Sequence, residues 1–201
     1  MKSICVIGSG ISGSTIANLL SKKYKVDVYE KAKGIGGRSS HRRYLNKLGF
    51  DHGLQYISPK TGKFKKFCSG LQKKRVLKKW QGPHNFDHSK VLENKKHTKL
   101  IGAKGNNAIS KYLLRNIDCI FGYELFKIER IRKNWKLSFL NGDVKYYEIL
   151  IISIPFAQSK KLLKKFLPNF FKNKKVKMEA NITVMTVTNK IKNNFSSFLF
   201  N

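Results

Sequence analysis

Ile4-Cys5-Val6-Ile7-Gly8-Ser9-Gly10-Ile11-Ser12-Gly13 decides how this 201-residue chain begins to fold. Four apolar residues run into a Gly-x-Gly-x-x-Gly turn, and a helix-like stretch follows to about Lys23. A second strand-like run, Val26-Asp27-Val28-Tyr29, ends on Glu30. Strand, glycine turn, helix and strand make a βαβ unit, and that context gives the glycine pattern its weight. Gly8 permits the tight turn, and Gly10 lets a pyrophosphate approach the backbone. Gly13 lets the helix lie close to the strand. Ile11, Ala17, Leu19 and Leu20 are expected to dock the helix on the sheet. The helix start then offers free N–H groups and partial positive charge to a phosphate. Glu30, 17 residues after Gly13, places a carboxylate for ribose hydroxyls and would repel a 2′-phosphate.

A second glycine segment, Gly36-Gly37-Arg38-Ser39-Ser40, follows six residues later. Paired glycines allow close backbone approach, and Arg38 can offset phosphate charge. With both segments in place, the chain resembles the flavoprotein superfamily of amine oxidases, phytoene desaturases and renalase. Its members carry an Arg-x-Gly-Gly-Arg-x-x-Ser/Thr segment at this point. Here Gly34 replaces the leading Arg, while Gly36, Gly37 and Arg38 match. The resemblance continues in Phe50-Asp51-His52-Gly53-Leu54-Gln55-Tyr56-Ile57, in Leu100–Ala108, where Asn106 stands in place of the group's Met, and in Ile149–Pro155.

The resemblance implies an α/β fold: a Rossmann-like FAD-binding domain, a small antiparallel sheet inserted in it, and an incomplete substrate domain. It implies FAD as cofactor and oxidation of an amine or reduced nicotinamide. It assigns FAD contacts to Gly8, Gly10, Ile11, Ser12, Gly13, Glu30, Lys31, Gly36, Gly37, Arg38, Gly53, Gln55, Leu125 and Pro155. No catalytic acid or base is assigned. The expected layout is 1–57 as the βαβ unit, the glycine loop and then a strand through Phe50–Ile57, and 58–105 as a basic insertion toward the substrate domain. The FAD-binding domain resumes over 106–158, and 159–201 begins the substrate domain. The chain stops at Asn201, before the group's C-terminal Gly-Asp segment. A separately encoded C-terminal half is therefore an expected partner, beside a small-molecule substrate. An NAD-binding Rossmann protein and a non-catalytic half of a split flavoprotein are the alternatives.

Charge is the other prominent feature, with 42 Lys and Arg against 11 Asp and Glu and a net charge of +31. Such an excess suits polyanions. Yet it is spread along the whole chain, is mostly Lys, and accompanies Asn, Ile and Phe, as an A/T-rich genome would produce. That argues against nucleic acid as the partner. The densest cluster, Lys60–Lys79, interleaves lysines with Phe64, Phe67, Leu71, Val76, Leu77 and Trp80. It reads as a surface element with its apolar side packed inward; an RNA-binding or membrane-apposed face is the alternative.

No run is long enough to span a membrane. Three cysteines without metal spacing and no export signal fit a reducing cytoplasm. The five histidines form no metal motif, so no metal is expected; His84 and His88 fall in a Pro- and Asn-containing loop. Helices are predicted over 106–115 and Ala157–Phe171. Strands are predicted over Asp118–Arg130, Trp135–Leu140, Ile149–Ile154 and Glu179–Thr188, with a hairpin turn at Asn141-Gly142.

Overall fold

The computed structural model describes residues 2–44, 48–80, 84–85, 98–174, 176–187 and 197–198. In chain order the strands are β1 (Ser3–Ile7), β2 (Lys25–Glu30), β3 (His41–Tyr44), β4 (Leu48–Asp51), β5 (Leu77–Lys79), β6 (His84–Asn85), β7 (Leu100–Gly102), β8 (Cys119–Phe121), β9 (Leu125–Ile131), β10 (Asn134–Phe139), β11 (Val144–Tyr147), β12 (Ile149–Ile152) and β13 (Ser197–Phe198). The α-helices are α1 (Ile11–Leu20), α2 (Gly62–Lys73), α3 (Ala108–Leu113), α4 (Phe156–Leu163) and α5 (Pro168–Asn173). Two compact units result. One comprises Met1–Ser40 with Ile109–Ile182, the other His41–Ala108 with Thr183–Asn201.

The first unit is built on a parallel sheet of order β12-β1-β2-β8. Both faces of the sheet are covered, so its strands are mainly apolar on both, with Asp27 of β2 an exception that is hydrogen-bonded. Ile4, Val6, Val26 and Val28 point to one side, where Ala17 and Leu114 are buried and Ile16 and Leu20 pack. Cys5, Ile7 and Tyr29 point to the other, against the antiparallel sheet β11-β10-β9. Leu162, Leu163 and Phe166 pack there too. Ala17 and Leu20 dock α1 as the sequence suggests. Leu19 does not, since its side chain is exposed and Ile16 takes the inward position.

A hydrogen-bonded chain runs through this second face. Tyr147 donates to Asp27 (2.7 Å), and the Tyr29 and Tyr147 hydroxyls lie 2.8 Å apart. Burial pushes the Tyr147 hydroxyl far above the ordinary tyrosine range, helped by hydrogen bonds to Tyr29 and Asp27. Burial raises Tyr29 too. A group whose folded pKa is raised contributes stability below its unfolded pKa and loses it above. The Cys5 and Cys119 thiols, also raised by burial, should begin to lower urea midpoints at about pH 8.5, the unfolded cysteine value, and the tyrosines should steepen the fall past about 10, the unfolded tyrosine value. Tyr147→Phe should flatten that steeper part; an unchanged slope there would show that this chain does not govern it.

Most expected elements form, with four departures. The run predicted over Asp118–Arg130 is two strands, because Gly122 takes a positive φ of 76° between them. The helix predicted over Ala157–Phe171 is also two, because Pro168 cannot continue α4 and instead opens α5. The strand through Phe50–Ile57 stops at Asp51, and only Ile57 pairs again, in a bridge to Leu100. Glu179–Val187 is not a strand; Ile182 is 91% exposed and Val184 80%. β-branched residues favour a strand only within a ladder, and among the described residues this segment joins none, although Thr183 Oγ1 donates to His52 O at 2.9 Å. Thr188 lies outside the described residues. The Asn141-Gly142 turn forms as predicted, with Gly142 at φ 89° and Ser138 paired with Val144.

The second unit holds the β3–β4 hairpin, α2, and the antiparallel pair β5–β7. Ile57, Cys68, Leu71, Leu77 and Leu100 are buried. Asn106, at the position where the resembled group carries Met, is fully buried. Its amide donates to the carbonyls of Leu54 (2.5 Å) and Gln55 (3.1 Å), and its Oδ1 accepts from Gly102 N–H (2.8 Å). Its own N–H donates to Asp51, whose carboxylate also holds His41 Nδ1 at 2.9 Å. So an amide, where the group has a thioether, clamps the 54–55 backbone to the 102–106 loop. The strands β6 and β13 pair in parallel. His88 lies outside the described residues, so the His84/His88 spacing has no structural reading.

Candidate functional site

A cavity of about 690 Å³ opens in the first unit at the carboxyl ends of β1, β2 and β12. Open parallel sheets bind ligands at such ends. The two glycine segments form its floor. Gly10 and Gly36 face each other as a β-bridge, and Gly36 N–H donates to Ser9 O at 3.2 Å. Gly36 reaches this position with φ 135° and Gly37 with φ 55°, values that favour glycine. A Cβ added to Gly37 would sit 3.2 Å from Gly10 Cα. Thus the positive-φ glycines let the second loop turn onto the first, and the Gly36–Ser9 hydrogen bond joins the two.

Helix α1 starts at this floor. Gly10 is its N-cap and no side chain caps it. Its first-turn N–H groups therefore keep their capacity for an anion. Ile11 and Ser12 line the cavity beside them. Ile11 was expected to dock the helix; it faces the cavity instead. Gly13 is not among the lining residues. It serves packing, since a Cβ there would lie 1.9 Å from Gly8 O and 2.5 Å from Ser153 Oγ. Ser153 Oγ holds that corner by donating to Ile7 O (2.8 Å) and lying 3.0 Å from Gly8 O.

Glu30 ends β2 at the cavity edge and is 7% exposed. Its Oε2 accepts from Ser9 N–H (2.9 Å) and Ser9 Oγ–H (2.7 Å), and its Oε1 accepts from Ala32 N–H (2.9 Å). A carboxylate can accept about four hydrogen bonds, so three protein donors leave room for a ligand hydroxyl. The sequence signals no role for Ser9, yet its side chain donates to Glu30 and helps to orient it. Lys31 lies beside the cavity with its Nζ 3.9 Å from Glu124. Arg38 also lines it.

The far wall comes from later in the chain. Tyr123, Leu125 and Phe126 line it from the start of β9, and Pro155, Gln158, Lys161 and Leu162 from α4. Leu125 and Pro155 were expected there. Tyr123, Phe126, Gln158 and Lys161 were not, and only their nearness to those two residues could have signalled them. Gly53 and Gln55 belong to the second unit and are not lining residues of this cavity.

The cavity holds no reactive thiol. Burial, with Glu30 nearby, raises the Cys119 thiol to about 11, and burial raises Cys5 and Cys68 as well. All three cysteines are free. No group of His, Cys, Asp and Glu suited to a metal exists among the described residues. No helix among them is long and apolar enough to cross a membrane.

A parallel sheet with a glycine-floored cavity at its strand ends defines a Rossmann-like α/β unit. Residues 6–71 match the NAD(P)-binding Rossmann-like domain family. The structure is also similar to the crystal structure of the tetracycline destructase Tet(51), with a TM-score of 0.56 and 15% sequence identity. The match covers 81% of this chain and 41% of that one. At this identity the likeness is one of fold, and this chain spans less than half the length of that protein.

Proposed function

We propose that this chain is the cofactor-binding part of an FAD-dependent oxidoreductase. One observation carries the reading: two glycine segments meet on one cavity floor, with an uncapped helix start and a fixed carboxylate beside them. A single glycine motif suffices for one phosphate contact. Two facing segments suit a pyrophosphate approached from both sides.

In this reading α1 and the Gly36–Arg38 turn hold the pyrophosphate, with Arg38 offsetting its charge. Glu30 accepts a ribose hydroxyl. Leu125 and its backbone, with Phe126 and Pro155, enclose the adenine. When bound, the flavin supplies two-electron chemistry, accepting a hydride from an amine or a reduced nicotinamide. The chain's own residues bind, orient and exclude water. The amine-oxidase and renalase character of the reading rests on the sequence of Gly36–Arg38 and Asp51–Gln55. A separately encoded C-terminal half that completes the substrate site belongs to the same proposal. The matched family's description also keeps an NAD-binding reading in play, with the nucleotide in the same cavity.

The purified chain, incubated with FAD and desalted, should retain flavin absorption bands, and NAD should not displace them. A folded chain that retains no flavin, alone or with a co-expressed C-terminal partner, would overturn the FAD reading. Displacement by NAD at lower concentration than by FAD would favour the NAD reading instead.

A further inference from the structure

The protein body covers only part of the apolar stripe of α2. Positions 64, 67, 68 and 71 fall on one side of a helix with 3.6 residues per turn. Cys68 and Leu71, toward its C-terminal half, are buried. Phe64 and Phe67, a turn earlier, each keep 37% of their surface exposed. Their rings stack with centroids 6.2 Å apart at 18°. The helix start is fixed, since Thr61 Oγ1 caps it by accepting from Phe64 N–H at 3.4 Å. A two-ring wedge therefore stands at the N-terminal half of α2.

The charges around it have one sign. Lys63 and Lys65 sit about 100° to either side of Phe64 around the helix, and both are exposed. Lys60 precedes the cap and Lys66 lies farther round. From Gly53 to Phe86 the chain contains no Asp or Glu. Lysines flanking exposed aromatic rings on an amphipathic helix are the features that seat a helix in a bilayer interface. Their long stems allow the rings to enter while the ammonium groups stay among headgroup phosphates. RNA would satisfy the lysines, but rings already stacked on each other make a poor platform for bases.

We propose that the N-terminal half of α2 is a peripheral docking surface for an anionic lipid bilayer. Phe64 and Phe67 enter the boundary between headgroups and acyl chains, and Lys60, Lys63 and Lys65 meet lipid phosphates. Two rings and a few lysines give reversible, salt-sensitive attachment rather than permanent anchoring. This surface is independent of the cofactor reading.

The test uses the whole chain and vesicles of phosphatidylcholine with or without 30 mol% phosphatidylglycerol (roughly the anionic content at which such surfaces attract lysines). A chain of net charge +31 is drawn to any anionic vesicle, so the readout must locate the contact. Phe64→Trp should add emission that shifts to the blue on phosphatidylglycerol vesicles and is quenched by brominated acyl chains. Lys63→Glu with Lys65→Glu should weaken vesicle binding about thirty-fold or more, since the loss of two lysines at the strength usual near such surfaces already gives that much and the two new carboxylates repel the lipid phosphates. Lys22→Glu with Lys23→Glu, the same charge change on the other unit, should weaken it far less. Thermal melts confirm that the variants fold; if the lysine pair does not, the Trp quenching decides alone.

Absence of the blue shift and quenching would overturn the proposal, as would equal losses from the two lysine pairs. It would also fall if Phe64→Ser with Phe67→Ser left vesicle binding intact while abolishing single-stranded RNA binding or self-association.

Discussion

Gly13→Ala should cost about 3 kcal/mol or more of folding stability, at the upper end of what overpacking produces. For a chain of this size that lowers Tm by roughly 6–12 °C. The reason is local. α1 crosses the β1 turn so closely that a Cβ at position 13 would sit 1.9 Å from the Gly8 carbonyl oxygen and 2.5 Å from Ser153 Oγ. Backbone must move, and that backbone is the cavity floor. Gly→Ala inside a helix otherwise stabilises by up to about 1 kcal/mol. Gly70→Ala, in α2 with nothing within 4 Å of its added Cβ, should show that opposite sign. Urea unfolding of the two variants checks both. A Gly13→Ala protein as stable as the parent would mean that α1 can shift outward, and the close-packing account would fail.

How much of this was legible beforehand follows from the range of each interaction. The β1–α1–β2 unit, the second glycine segment and the Asn141-Gly142 turn are set by residues within a few positions of one another, and sequence reading found them. The docking face of α1 was half right. Ala17 and Leu20 point in, but Ile16 and not Leu19 joins them, because only the sheet beneath decides which flank of a short helix is covered. Pro168 falls inside the predicted helix, yet its missing N–H suits the first turn of a new one. Glu179–Val187 has strand composition but joins no strand ladder among the described residues. Ser9 shows the same limit at the site: its partner Glu30 lies 21 residues away and meets it across parallel strands. Lys161 and Gln158 come from a helix more than a hundred residues after the motif they face. Periodicity tells which side of an element is apolar. It does not tell which elements end at the same place.

Glu30→Ala should weaken FAD binding about ten- to a hundred-fold. A hydrogen bond to a charged acceptor contributes about 1.5–3 kcal/mol, and the three protein donors leave this carboxylate room for one ribose hydroxyl. The same change strips acceptors from Ser9 N–H, Ser9 Oγ and Ala32 N–H at a buried site, so stability should fall as well. The two effects separate by comparing ligands. The parent chain should prefer adenosine diphosphate over its 2′,3′-dideoxy analogue, and Glu30→Ala should bind both equally. Ser9→Ala is the finer probe, because it leaves the carboxylate in place and removes only one of the two donors that orient its Oε2. It should shrink the preference several-fold while leaving binding of the dideoxy analogue unchanged. If Ser9 merely supported the fold, both ligands would weaken together. If the parent itself showed no preference for the ribose hydroxyls, Glu30 would be a structural carboxylate tying β2 to the glycine turn. The cavity would then bind its ligand through the phosphate floor alone.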